Sequence, residues 1–269
     1  MGARALAMGQ CAMLSFSEAV HVSNNPASIS NAEHITLSYF YTELLERSSN
    51  PGYGLVMPTN RYGVFGVSLF QLKSGELRSR DENGTETGTF TAEKNHLLLS
   101  YGQYINDKFS FGFNAKFVSE SVGTYESPIQ NVGIDAALSY YPHFSYTYIK
   151  NLAVGIVTDN IVKPQVKLSQ TTEYLPMEVR FVAEDRFDFT NSNLTIVGNM
   201  AYLENAEYKS FFGIEYGYKL IAVLTGLYDG NPSFGGGINL FGFIANYSYA
   251  SYSNTPLSKF NGFSISYQF

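Results

Sequence analysis

Apolar and polar residues alternate with a period of two along most of the chain beyond about residue 34. In the final segment Phe263, Ile265, Tyr267 and Phe269 fall on one face, with Gly262, Ser264, Ser266 and Gln268 on the other. That period belongs to a strand whose two faces meet different surroundings. The pattern recurs with Phe109, Phe111, Phe113, Ala115 and Phe117 against Ser110, Gly112, Asn114 and Lys116. Ile35, Leu37, Tyr39 and Tyr41 oppose Thr36, Ser38 and Thr42, and Phe65, Val67 and Leu69 oppose Gly66 and Ser68. Val132, Ile134, Ala136, Leu138 and Tyr140 oppose Gly133, Asp135 and Ser139, while Met177, Val179, Phe181 and Ala183 oppose Glu178, Arg180 and Glu184. Runs at about 95–104, 151–158, 193–203, 208–218, 219–228, 233–241 and 242–252 repeat it with less contrast. About 13 strands result, each near the roughly 9–11 residues that cross a bilayer at a tilt. Segment 74–94, with the turn Asp81-Glu82-Asn83-Gly84 at its middle, has room for one more. Bacterial single-chain barrels use even numbers, so the expected range is 12–14 strands.

The identity of the polar face decides what the strands build. A soluble sandwich of this size keeps its apolar face inside and covers the other with Lys and Glu. Here the polar face is mostly Gly, Ser, Asn and Thr, and charged residues make up only 15% of the chain, well below the roughly 25% of soluble domains. Mean hydropathy is −0.09, and no stretch approaches the ~20 apolar residues of a spanning helix. A transmembrane barrel escapes that test, because its strands average lipid-facing and lumen-facing residues. Aromatics at strand ends (Tyr140, Tyr141, Tyr146, Tyr148, Tyr247, Tyr249 and Tyr252) fit interfacial girdles. The expected fold is all-β, a transmembrane antiparallel β-barrel; a large sandwich with a Tyr-rich core is the alternative.

Placing a Lys or Arg on the lipid face at midplane costs about 2–4 kcal/mol, so the alternation sends Lys116, Asp135, Glu178, Arg180, Glu184 and Glu215 inward. They read either as a charged pore lining or as internal ion pairs that brace the barrel, and the presence of both signs favours the second reading.

Chemistry of other kinds finds little support. His21, His34, His96 and His143 lie in separate segments without Cys or Glu at metal-ligand spacing, and Cys11 has no partner for a disulfide. Gly235-Gly236-Gly237 lacks the Lys of a phosphate loop and suits a bend or close approach in a wall. Asn83-Gly84-Thr85 matches a glycosylation sequon by accident in a bacterial barrel. The net charge of −6 with scattered basic residues leaves no footprint for nucleic acid. No enzyme activity, cofactor or metal is implied.

Residues 1–34 break the alternation. They open Met1-Gly2-Ala3-Arg4-Ala5-Leu6-Ala7-Met8-Gly9, stay rich in small residues to Ala19, and reach Asn24-Asn25-Pro26-Ala27. This opening resembles the N-terminus of the PorV/PorQ family, within the broader group of FadL-like outer-membrane channels. The resemblance extends to 75–91, similar to the family's hairpin ending in Gly-x-Phe, to Leu99-Ser100-Tyr101-Gly102 and Phe111–Phe117, to Leu175-Pro176, and to Asn246-Tyr247-Ser248-Tyr249-Ala250 through Phe269. It covers essentially the whole chain in order and spacing. The terminal strand, with Phe263, Ile265, Tyr267 and Phe269, resembles the signal by which outer-membrane barrels are handed to their insertion machinery.

The resemblance implies a barrel over 35–269 in the bacterial outer membrane and an inward-folding hatch over 1–34, with Gly2, Arg4, Met8, Gly9, Asn25, Pro26 and Ala27 among the hatch residues. A barrel of about 14 strands is too wide for side chains alone to fill, so a plug suits it. Arg4 is expected to pair with Glu178, Glu184 or Glu215. The partners implied are outer-membrane lipid, the insertion machinery, and type IX secretion components or exported cargo. The function implied is type IX secretion or surface attachment; the alternatives are a FadL-like channel for hydrophobic small molecules, and a structural barrel. No export signal precedes Gly2-Ala3-Arg4, which reads as a signal removed or missed. The chain is also shorter than long-chain fatty-acid channels, whose large outer loops it largely lacks.

Overall fold

The structure is a computed structural model that describes residues 1–44, 48–59, 61–142, 151–168, 171–251 and 259–269, with the backbone alone at 125–131, 166–168 and 171–173. His143, Tyr146, Tyr148 and Tyr252 lie outside the described residues. Among the described residues, fourteen strands close into one antiparallel barrel. The wall begins with β1 (Thr36–Glu43), β2 (Gly52–Thr59) and β3 (Gly63–Lys73). A separate two-stranded ribbon, β4 (Leu77–Arg80) and β5 (Glu86–Phe90), precedes β6 (Ala92–Asn106), β7 (Phe109–Val122), β8 (Tyr125–Tyr140) and β9 (Ala153–Val162). A second ribbon, β10 (Gln165–Leu168) and β11 (Thr171–Tyr174), precedes β12 (Glu178–Asp188), β13 (Ser192–Leu203) and β14 (Tyr208–Tyr218). The wall ends with β15 (Ile221–Tyr228), β16 (Asn231–Leu240), β17 (Phe243–Ser251) and β18 (Lys259–Gln268). Strands β1 and β18 pair from Thr36↔Gln268 to Glu43↔Asn261 and close the ring.

The fourteenth strand is not the one expected within 74–94. That segment forms the ribbon β4–β5, a sheet separate from the wall, closed by the Asp81–Gly84 turn and bridged by the Arg78–Glu86 ion pair at 2.6 Å. The missing wall strand is β2, which pairs with β1 and β3.

The faces sort as alternation requires, apolar outward and polar inward. Leu37, Phe65, Phe113, Leu138, Phe181, Phe263 and Ile265 are exposed on the outside, while Ser38, Ser110, Asn114, Asp135, Ser139, Ser264 and Ser266 are buried. A soluble sandwich would hide the first set and wet the second, so the sandwich reading falls. Exposed aliphatic and aromatic residues recur on every wall strand from β1 to β18. Water does not tolerate an apolar surface of that extent, whereas lipid dissolves it. This is a transmembrane β-barrel.

The two ends differ. At one, the turns 107–108, 219–220 and 241–242 are two residues long, and Phe269 donates its N–H to Ile35 O at 2.9 Å beside the start of the wall. This is the turn end. The other, the loop end, carries both ribbons. Ribbon strand β10 packs on β7 and β8, and the Pro164 ring lies 2.9 Å from where a Cβ on Gly133 would stand.

The face assignment is open to a direct check. Single cysteines at 263 or 265 should react with bilayer-partitioning maleimides, while cysteines at 264 or 266 should be shielded from them. The reverse pattern would place the apolar face inside.

Candidate functional site

The bore is filled from the chain's own start. Residues 3–7 form a five-residue helix, and 19–23 and 26–31 form 3-10 turns. So short a helix has little stability of its own, and what holds it here is the wall. Ala5, Ala7, Met8, Cys11, Ala12 and Met13 are wholly buried, packed with inward residues such as Val157, Val182, Val197 and Leu224, while Ala3 packs with Phe40, Phe70 and Leu98 and Ala19 with Val56 and Val64.

Close approach is made possible by glycines on the inner face of the wall. A Cβ on Gly213 would stand 2.7 Å from the Met8 carbonyl oxygen, and one on Gly54 would stand 2.8 Å from the Ala19 carbonyl carbon. Gly226 lies directly across the ladder from Gly213 and presses on the Met8–Gly9 peptide. Gly112 takes the Pro26 carbonyl and Gly102 takes Ile29. Gly235 takes Ala7, the close approach that the glycine run at 235–237 suggests. Gly9 itself has φ 67, a left-handed turn that L side chains resist, and it lies 2.5 Å, by the same measure, from Leu227 O.

The inner segment bonds partly within itself, and wall side chains supply partners for backbone groups left over. The Gly9 N–H donates to Ser233 Oγ at 3.0 Å, and Ser233 donates back to Ala7 O at 2.8 Å. Ala12 donates to Asn199 Oδ1 at 2.6 Å, Leu14 to Glu184 Oε2 at 2.7 Å and Ala19 to Ser38 Oγ at 2.8 Å. Asn114 Nδ2 donates to Val22 O at 3.0 Å. Asn25 caps the second 3-10 turn by accepting from Ala27 N at 3.0 Å, while its Nδ2 donates to Met13 O at 2.9 Å. Pro26 begins that turn, and Ala27 is buried beneath it.

The charges pair up. Arg4 Nε donates to Glu215 Oε2 at 2.6 Å and its Nη1 to Ser17 Oγ at 3.2 Å; of its three expected partners, Glu215 is the one it meets. Glu184 caps backbone N–H groups instead, and Glu178 pairs with Arg180, whose guanidinium also stacks 4.7 Å from the centroid of the Phe211 ring. Lys116 meets Asp135 at 2.9 Å and Asn160 Oδ1 at 3.0 Å. All six charges singled out in the sequence thus point into the lumen, and each is engaged there.

Glu18 is an addition that the sequence gives no way to foresee. It is buried against Gly2 and accepts from Asn246 Nδ2 at 2.7 Å and from the Ser264 hydroxyl. Burial raises its carboxyl above the usual range, against the pull of those two bonds. Burial also lowers His21 to about 3, so the imidazole is neutral; its Nε2 accepts from Met13 N–H at 3.2 Å. The Cys11 thiol is pushed up to about 12 by burial and carries no thiolate at neutral pH. No group of three His, Cys, Asp or Glu side chains suited to a metal gathers among the described residues.

The segment separates two unlike cavities. Toward the turn end lies a polar vestibule of about 280 Å³, bordered by Arg4, Ser17, Glu215, Asn239, Asn246 and Gln268. Toward the loop end lies a cup of about 220 Å³, bordered by Met1, Leu6, Gln10, Phe40, Thr42, Leu44, Asn50 and Phe260. The four outward residues of the last strand, Phe263, Ile265, Tyr267 and Phe269, belong to neither; they stand on the lipid side, Phe269 against the Tyr267 ring at 4.7 Å.

No family profile and no curated protein sequence matches the chain. Solved structures do. The toluene transporter TodX of Pseudomonas putida superposes with a TM-score of 0.66 at 13% identity, over 99% of this chain and 97% of that one. The toluene transporter TbuX of Ralstonia pickettii gives 0.65 at 14%, over 100% and 98%. A FadL homologue of Pseudomonas aeruginosa gives 0.65 at 13%, over 100% and 98%. The chain therefore shares the fold of FadL-like channels from end to end.

Proposed function

We propose that this protein is a bacterial outer-membrane channel of FadL-like type that takes up hydrophobic small molecules, with residues 1–34 as its hatch. Short turns mark the periplasmic side of such barrels and longer loops the outer side. On that orientation the apolar cup faces outward and the polar vestibule faces the periplasm. The cup carries the proposal: a bore lined with Ser, Asn and ion pairs opens outward onto Leu6, Phe40, Leu44 and Phe260. An apolar solute that has crossed the outer leaflet's polar surface meets a surface there that rewards its burial. That TodX and TbuX are toluene transporters supports the same reading.

A role in type IX secretion of the PorV/PorQ kind has the motif order behind it, but no feature of the lumen. Uptake separates the two. In a host deleted for its own hydrophobic-solute channels, the inserted protein should raise entry of labelled toluene or cresol several-fold over an empty vector. Uptake equal to the vector, together with capture of exported proteins in a pull-down, would shift the assignment to secretion.

A further inference from the structure

We infer that the cup selects a single-ring aromatic carrying one uncharged hydroxyl, a phenol or benzyl alcohol, over the bare hydrocarbon and over a carboxylate. The inference rests on the channel reading and sharpens it. Size comes first. About 220 Å³ exceeds the roughly 150 Å³ of an engineered cavity that binds benzene, and it leaves no room for a long chain lying in the cup.

Lining chemistry then narrows the class. Phe40 is a bulky aromatic on the inner face, packed with Phe70 and Leu98. It is buried at 2% exposure, and Gly52 stands directly across the ladder from it. With Leu6 and Phe260 it offers apolar and edge contacts to a ring. Among the described residues around the cup no side chain is charged, and the Met1 amino group that borders it donates to Ser23 Oγ at 3.0 Å and has its pKa lowered by burial to about 5, so it is neutral at pH 7. The lumenal cations are committed elsewhere, Arg4 to Glu215 and Lys116 to Asp135. A carboxylate entering the cup would surrender water and gain no counter-ion, which disfavours it.

Two polar groups argue against a pure hydrocarbon. Thr42 donates its hydroxyl to Asn261 O at 2.9 Å, which commits its proton and leaves the oxygen lone pairs to accept. Asn50 is held beside it by backbone bonds between the two residues, Asn50 N–H to Thr42 O at 2.9 Å and Thr42 N–H to Asn50 O at 3.4 Å. A ligand hydroxyl can donate to Thr42 Oγ1 and take a bond from the Asn50 amide. A hydrocarbon of the same shape offers nothing to the Asn50 amide or to the spare lone pairs of Thr42, and a site built to bond a hydroxyl discriminates against the analogue that lacks it.

The test is calorimetric binding of p-cresol, toluene and benzoate to the purified full chain in detergent. The expected result is p-cresol about tenfold tighter than toluene and benzoate. Thr42→Val and Asn50→Leu should abolish the preference, p-cresol weakening and toluene tightening until the two bind alike, while Thr42→Ser keeps the preference. Heat-modifiable migration on gels reports whether each variant is folded, and Asn50→Leu and Thr42→Ser serve if Thr42→Val is not. Toluene bound as tightly as p-cresol, benzoate bound most tightly, or variants that weaken p-cresol and toluene alike would overturn the selectivity while the channel reading stands. No binding of any of the three, with no uptake in cells, would overturn both.

Discussion

Deleting residues 1–30 behind a grafted export signal is expected to raise single-channel conductance in planar bilayers roughly tenfold, from a nearly closed barrel to an aqueous pore. The size of the effect follows from the geometry of the wall. Eight strands leave an interior that side chains fill, whereas 16 leave a water channel, and this wall has fourteen. What fills the difference is the buried segment from Ala3 to Ile29. The inner wall does not need the segment to stay folded, since Ser38, Asn114, Asn199 and Ser233 gain water when they lose it. Conductance equal to that of the intact protein, with the barrel shown inserted by its migration, would mean the segment is no plug.

The second large effect is expected at the paired glycines. Gly213→Leu together with Gly226→Leu should expel the segment without opening the wall, reproducing most of the conductance of the deletion. Both positions face inward, opposite one another, and each is already in contact with the Met8–Gly9 backbone. A leucine there meets main chain rather than the flexible end of a side chain. Overpacking of this kind costs about 1–3 kcal/mol per site, and the segment has only its wall contacts to set against it. Ejection would also free Arg4 from Glu215 and expose the peptide bond after it to trypsin, which should leave the intact protein uncut there. A double variant with low conductance and a protected Arg4 would show that the wall, rather than the segment, gives way.

How far the sequence reveals this arrangement depends on contrast. Strands β7, β8 and β18 are plain because most inward residues are small or polar and most outward ones are greasy. Strand β2 escapes notice because Gly52, Gly54 and Val56 face inward, Tyr53, Leu55 and Met57 face outward, and Pro58 closes it. Val56 is fully buried beneath Ala19 and Val22, so the inner face at that point is apolar and the alternation vanishes. The ribbon β4–β5 shows its turn, Asp81 to Gly84, but nothing in a turn tells whether the strands beside it join the wall. The inward course of the six charges is legible from alternation alone. Their pairing is not, because Arg4 and Glu215 are distant in sequence and meet only once the barrel has closed. The cup is illegible for the same reason: Leu6, Phe40, Asn50 and Phe260 come from the segment, a strand, a loop and the last strand. The wall glycines are visible one by one, but which of them touch the segment depends on a path across the bore that no local pattern encodes.

The seam between β1 and β18 also orders events in time. No lumen exists until Asn261 to Gln268 have been made and have found Thr36 to Glu43, a pairing across more than four-fifths of the chain. By then every residue of the inner segment, and every glycine and serine that will grip it, is already present. Contents and container therefore come into being together, and the wall pairing that spans the most sequence is also the one that shuts the segment in.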